Sequence, residues 1–242
     1  MDQHRLLRAL AFAAVALILP QAALAQELTL NLGDDASLTA RALQLIALIT
    51  VLSLAPGLAI MITCFPFVVT VLSILRQAIG LQQSPPNMLI VSLAMFLTYF
   101  VMAPVFQEAY RIGIEPLIAG VLLPQDALIA AYGPFRGFML NRVEIETLQS
   151  LAQLRGITDI TDPEASILIP AFMLSEVERA FQIGFLIFLP FLIIDLVVAA
   201  ILMSMGMMMV PPAIVSLPFK LAFFVVADGW ALVTGALVRS YF

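Results

Sequence analysis

The chain offers few residues for covalent chemistry. There is one cysteine, Cys64, in an apolar stretch, and one histidine, His4, near the start. No intrachain disulfide, Cys/His zinc site, or Cys–His or Ser–His nucleophilic pair can be assembled from them. Carboxylates, a few arginines, one lysine and hydroxyls remain. Three ionisable residues interrupt long apolar runs: Asp195, Lys220 and Asp228. Between Asp195 and Lys220 lies a turn in which Met203, Met205, Met207, Met208 and Met209 crowd around Gly206. Each of the two charges is about twelve residues from the turn centre, hence about 18 Å along a helix, at similar depth on adjacent helices. An unpartnered charge at that depth is costly, so Asp195 and Lys220 are expected to pair with each other or with a charge on another subunit. An ion pair that fixes helix register and a transport role such as proton coupling both meet that requirement. Asp228 is placed nearer the external interface and is read as solvated.

Methionine is unbranched, flexible and polarizable. The cluster therefore reads either as a loosely packed buried turn or as a deformable apolar constriction that blocks water and ions by dewetting. A single copy cannot close a ring, so the second reading needs an oligomer.

The elements that carry these residues are apolar. The 242 residues are 62% hydrophobic and 11% charged, with a mean hydropathy of +1.07, against about 45–50% apolar and about 25% charged in soluble domains. No charge falls between Arg41 and Arg76 or between Arg76 and Glu108, gaps long enough for a bilayer span. The net charge of −5 leaves no basic surface for a nucleic-acid backbone.

Residues 1–25 have the form of a cleavable signal peptide. Arg5 and Arg8 precede an apolar run, Ala9 to Leu19, and Ala23-Leu24-Ala25 precedes Gln26, which puts cleavage between Ala25 and Gln26. Residues 26–107 form an N-terminal segment and a first hydrophobic hairpin. Its first run, residues 42–75, is interrupted by Pro56-Gly57 and Pro66 and is expected to be kinked or broken. Arg76 lies at the hairpin tip, with the Pro85-Pro86 turn before a second run over residues 88–107. The positive-inside rule places that tip in the cytoplasm.

Residues 108–179 are polar, with five arginines against ten acidic residues, and are expected to be helical and periplasmic, interrupted at Gly133-Pro134 and Gly156. Asp162 with Pro163 reads as one helix start, and Ser175-Glu-Val-Glu178 reads as a capping box opening the next. Residues 180–242 form a second hairpin around the methionine-rich loop, with Pro211-Pro212 as its turn or hinge and Pro218 as a kink. Phe181, Phe185, Phe188 and Phe191 fall on one face, most simply as core packing, and Gly184 allows close helix approach. Phe181, Phe185, Phe188 and Gly184 are also candidates to face a pore. The expectation is an all-α, integral membrane-type protein of helical hairpins, with about four long hydrophobic helices, a helical periplasmic segment and assembly into a ring.

A set of local patterns runs along the chain: Met61-x-Thr63-x-Phe65, Val71-Leu-x-x-Leu-Arg76-x-Ala-x-Gly80, Pro85-Pro-Asn87, Phe96-Leu-Thr98 with Met102-x-Pro104, and Arg136-x-Phe-Met-Leu140. A denser block adds Ala180 to Phe185, Pro190 to Leu196, Met205 to Pro212, Leu217 to Lys220 and Asp228-Gly-Trp230. Together they resemble the FliP family, the export-gate proteins of the bacterial flagellar type III secretion apparatus. The family pattern usually carries an arginine two positions after the phenylalanine of the first motif. This chain has Phe67 there, behind Pro66, so no role is carried to that position.

The resemblance implies a pentameric ring that joins FliQ and FliR, works with the export proteins FlhA and FlhB, and passes unfolded flagellar subunits across the inner membrane in the basal body. It also implies that Met205, Met207, Met208 and Met209 form a pore gasket, that the leader is cleaved, and that neither enzymatic activity nor a cofactor is involved. In such assemblies the hairpins stack largely above the bilayer plane. An injectisome gate is the related alternative. An intramembrane aspartyl protease using Asp195 and Asp228 and a small secondary transporter using Asp195 and Lys220 are readings from other classes.

Overall fold

A computed structural model of the chain describes residues 35–80, 85–207 and 209–242, and every regular element among them is helical. The leader, the cleavage site at Ala25 and Gln26, and Met208 lie outside the described residues. The first helix, α1, is Asp35–Met61. The chain divides into two compact units, Met1–Leu52 and Ser53–Phe242, and the division falls within α1.

In the first unit α1 is apolar on every side. Leu43, Leu45, Ile46, Leu48, Ile49 and Leu52 are all exposed, and the Thr50 hydroxyl donates back to the Ile46 carbonyl at 2.7 Å. A helix without a polar face is one that water does not surround.

In the second unit the apolar run of residues 42–75 breaks, as its prolines suggested, but only one proline marks the break. Pro56 sits inside α1, whereas Pro66 occupies the first turn of α2, Phe65–Ile79, where proline costs no helical hydrogen bond. The Thr63 hydroxyl donates to the Ile60 carbonyl and accepts the Phe65 amide. It thereby closes α1 and opens α2. Gly80, at φ 89°, ends α2 in the left-handed region that favours glycine.

Phe67, Val68, Val71, Leu72, Leu75, Ala78 and Ile79 are all buried, at the three- and four-residue spacing of one helix face. That face is the centre of the main core. It packs on Ile90, Ala94, Leu97 and Val101 of α3, Asn87–Ala109, and on Ala180 of the long helix α7 described below.

The helix α3 continues through a π-helical turn, Tyr110–Ile114, into α4, Glu115–Ile118. Gly113 in that turn has no room for a side chain, because a Cβ would lie 2.7 Å from the Ala127 carbonyl oxygen and 2.8 Å from the Ala131 amide. Those two residues belong to α5, Pro124–Leu140, which runs unbroken through Gly133-Pro134, contrary to the expected interruption. The helix α6 is Ile145–Leu154, ended near Gly156 at φ 72°.

The helix α7 spans Ala165–Ser204, 40 residues, about 60 Å at 1.5 Å per residue, twice a hydrocarbon core. Two expected helix starts are therefore corrected. The cap is Glu164, not Asp162, and Asp162 is instead paired with Arg136. Ser175 and Glu176 lie inside the helix. The Ser175 hydroxyl donates to the Ala171 carbonyl one turn back and accepts the Glu144 amide, so it serves two elements rather than starting one. Residue 179, expected as the end of the polar segment, is mid-helix.

Helices α8, Pro212–Val226, and α9, Gly229–Arg239, bend by 61° at their junction. The bend is at Asp228, φ 49°, a left-handed conformation that aspartate tolerates, while α8 continues past Pro218. Among the described residues three helices are long and apolar enough to cross a membrane, over Ala40–Met61, Asn87–Ile118 and Ala165–Ser204, and the bent pair α8–α9 makes a fourth if taken as one span.

Candidate functional site

Asp195 on α7 and Lys220 on α8 face each other. The Lys220 ammonium donates to Asp195 Oδ2 at 2.6 Å and to the Ala78 carbonyl at 3.1 Å. Ala78 is in the last turn of α2, where carbonyls have no helical partner and carry the negative end of the dipole. Gly80 follows at φ 89°, a left-handed conformation that favours glycine, while a Cβ there would make only ordinary contact, 3.9 Å from Lys220 Nζ. The single lysine is thus satisfied by a carboxylate and a helix C-terminus at once. It is 5% exposed, a depth at which an unpaired ammonium would be costly.

The carboxylate's other oxygen is also engaged. Ser216 donates to Asp195 Oδ1 at 2.5 Å. Ser216 was not among the candidates. Its spacing of four residues before Lys220 puts both on one face of α8, and that spacing is the signal that would have found it. Asp228 is separate, eight residues beyond Lys220, hence about 12 Å along the helix, and exposed at the α8–α9 bend. A two-carboxylate protease centre needs its carboxyls a few ångströms apart. Among the described residues no group of three or more His, Cys, Asp or Glu could hold a metal ion.

Two grooves flank the pair. One of about 760 Å³ is lined by Arg76, Gln77, Phe181, Phe188, Asp195 and Lys220 among others, and Arg76 at its edge is hydrogen-bonded to Asn87. The other, about 470 Å³, is almost wholly apolar, lined by Ile193, Val197, Ile201, Met205, Met207 and Phe219 among others. It runs toward the methionine-rich loop.

The aromatic stripe of α7 divides. Phe191 is buried against Phe223 and Phe224, and Phe188 packs partly on the core. Phe181 and Phe185 are about 60% exposed in the single chain, which corrects the core-packing expectation for those two. Gly184 on the same helix faces Ile74, whose Cδ1 would be 2.4 Å from an added Cβ. The absence of a side chain is what lets α2 and α7 touch there.

The methionine-rich loop follows α7 through Gly206, φ 75°. Met203, Met205, Met207 and Met209 are exposed, Met209 almost completely. Pro211 caps α8 and Pro212 is its first residue. Pro86 caps α3 in the same manner, directly after Pro85.

A second polar constellation was missed. Glu176, fully buried on α7, takes Arg142 at 3.0 Å and Arg179 at 3.3 Å. Its position inside the misread capping box hid it.

A family model described as the FliP family matches residues 48–237. Proteins named flagellar biosynthetic protein FliP are similar over most of their length. The one from Caulobacter vibrioides is 53% identical, covering 93% of this chain and 86% of the relative. That from Agrobacterium fabrum is 46% identical, covering 98% and 100%. That from Bacillus subtilis is 41% identical, covering 86% and 96%.

Proposed function

The chain belongs to the FliP family of flagellar biosynthetic proteins, and on that premise we propose that it is a non-enzymatic structural and gating subunit of the flagellar protein-export gate. In this reading several copies close a ring, five by the family pattern. They join FliQ and FliR and, with FlhA and FlhB, pass unfolded flagellar proteins through the pore. The assembly sits in the inner membrane within the basal body. The mature N-terminus and the polar segment of residues 108–179 face the periplasm. The several apolar helices support a membrane location. The flagellar names of the relatives support the flagellar branch over an injectisome.

One observation carries the gating role. Met205, Met207 and Met209 of the loop after α7 are solvent-exposed in the single chain, and Met205 and Met207 line the end of an apolar groove with no polar lining to speak of. An apolar, deformable loop in that position supports a constriction assembled from several copies. Met205, Met207 and Met209, with Met208 between them in the sequence, form the gasket. The Asp195–Lys220 pair holds the two arms of the hairpin in register below it.

Native mass spectrometry of the tagged chain, extracted in mild detergent, tests the assembly. The expected result is a multi-copy ring carrying small hydrophobic partners, with a subunit mass lacking residues 1–25. A monomer or dimer without partners makes a methionine ring geometrically impossible and overturns the reading.

A further inference from the structure

Beyond the gate, the second unit contains a buried cage that holds one side chain, Tyr241, from the segment that follows α9. The Tyr241 hydroxyl donates to Glu176 Oε2, and Glu176 Oε1 accepts Arg142 Nε and Arg179 Nη1. Arg142 Nη1 donates to the Ser240 carbonyl at 2.8 Å, so backbone and side chain of the segment are both gripped. The Tyr241 ring is stacked on Phe138 at 5.9 Å and meets Phe67 edge-on at 5.5 Å. The Arg142 guanidinium carbon lies 4.1 Å from the ring centroid. Arg142 Nη2 is buried with no hydrogen-bond partner, and the guanidinium as a whole gains a cation–π contact from the ring it lies over. Burial and the adjacent carboxylate push the Tyr241 phenol far above its usual range, which keeps it a donor.

Phe67 explains why the ring fits. It is fully buried and supplies an aromatic wall.

The tie adds a polar anchor to the apolar packing of the α8–α9 arm: Phe224 and Leu237 are buried in the main core with Val233 and Val238 against it, while Val225, Val226 and Leu232 are exposed and Asp228 at the bend makes no side-chain capping hydrogen bond. Lys220 holds the first half of the arm to α2 and α7. We propose that Tyr241 is a positioning residue, a latch that holds the second half of the arm to the body through a cage of Phe67, Phe138, Arg142 and Glu176.

Cys64 reports on the latch. It is the only cysteine, fully buried, close enough to Tyr241 for their charged forms to repel, and its thiol is pushed up to about 12 by burial. Maleimide labelling of the full chain in its own membranes is therefore slow and follows local opening. Tyr241→Phe removes only the charged-acceptor hydrogen bond and is expected to raise the rate about tenfold, and Tyr241→Ala, which also removes the ring contacts, about a hundredfold. A second reporter, Cys64→Ala with Ala152→Cys, sits in the separate cluster of Leu148, Ile167 and Ala171 and is expected to stay protected in both variants. Wild-type labelling of Cys64 in Tyr241→Ala overturns the latch, as does a parallel rise at both reporters, which signals general unfolding. If Tyr241→Ala does not accumulate, Tyr241→Phe decides alone: an unchanged rate overturns the latch and the tenfold rise supports it.

Discussion

At the residue scale the energetics turn on a buried lysine. Lys220 has two acceptors, Asp195 and the Ala78 carbonyl, and removal of the carboxylate leaves a desolvated ammonium with only the weaker one. Breaking such a pair from one side costs about 3–5 kcal/mol when fully buried. Asp195 is 31% exposed, so Asp195→Ala is expected at the low end of that range, read as a lowered thermal midpoint and reduced recovery from detergent. Adding Lys220→Met removes the stranded charge and is expected to restore at least half of the loss, since apolar replacement of a whole pair is often neutral. A double variant no better than Asp195→Ala alone would mean that the pair does not act as a unit. These two residues were legible because each is a charge in a long apolar run. Ser216 was not, because a hydroxyl in such a run carries no comparable penalty and draws no notice until its spacing from Lys220 is considered. Glu176 was hidden for the opposite reason: in a segment with many carboxylates, composition does not tell which one is buried.

At the scale of elements, two glycines set how closely helices approach, and they differ in what blocks a side chain. An added Cβ at Gly184 meets Ile74 side-chain atoms, at 2.4 Å for Cδ1 and 3.1 Å for Cγ2, and part of that side chain can rotate away. At Gly113 the obstacle is α5 backbone, the Ala127 carbonyl and the Ala131 amide, which cannot. Gly184→Ala is therefore expected to cost about 1 kcal/mol and Gly113→Ala about 3 kcal/mol. Ile74→Val should relieve the first and leave the second untouched, and denaturation in detergent measures both. Equal losses would show that α5 yields as easily as a side chain. The helical class and the approximate apolar segments were readable from charge gaps and hydropathy. The boundaries were less so, for local reasons. Pro66 breaks the first run because Thr63 can bond to both flanking turns, whereas Pro56, Pro134 and Pro218 are carried within helices. The bend expected near Pro218 occurs at Asp228, where a backbone conformation rather than a missing amide turns the chain. Ser175-Glu-Val-Glu178 has the residues of a cap, yet partners from two elements absorb Ser175 and the helix runs through.

At the scale of the whole molecule, the second unit leaves large apolar side chains uncovered along several helices, and two of those places differ in kind. Phe181, Phe185 and Leu196 are exposed along α7, and Met205, Met207 and Met209 are exposed in the loop beyond it. Burying such surface is worth about 25 cal/mol per Å², so the α7 face can drive association without help from the loop. The two roles are therefore separable by mutation. Shortening the loop methionines to alanine removes the flexible atoms that would close a constriction, while the association surface on α7 keeps its side chains. Met207→Ala, Met208→Ala and Met209→Ala combined are expected to leave the copy number and partners unchanged in native mass spectrometry. In planar bilayers the same assembly is expected to leak ions several-fold more than the wild type, because a wider apolar constriction wets where a narrow one does not. A polar lining would respond differently, through charge selectivity rather than leak. Unchanged conductance with an intact ring would remove the gasket from the mechanism and leave the loop as a packed turn, with gating assigned to another part of the assembly.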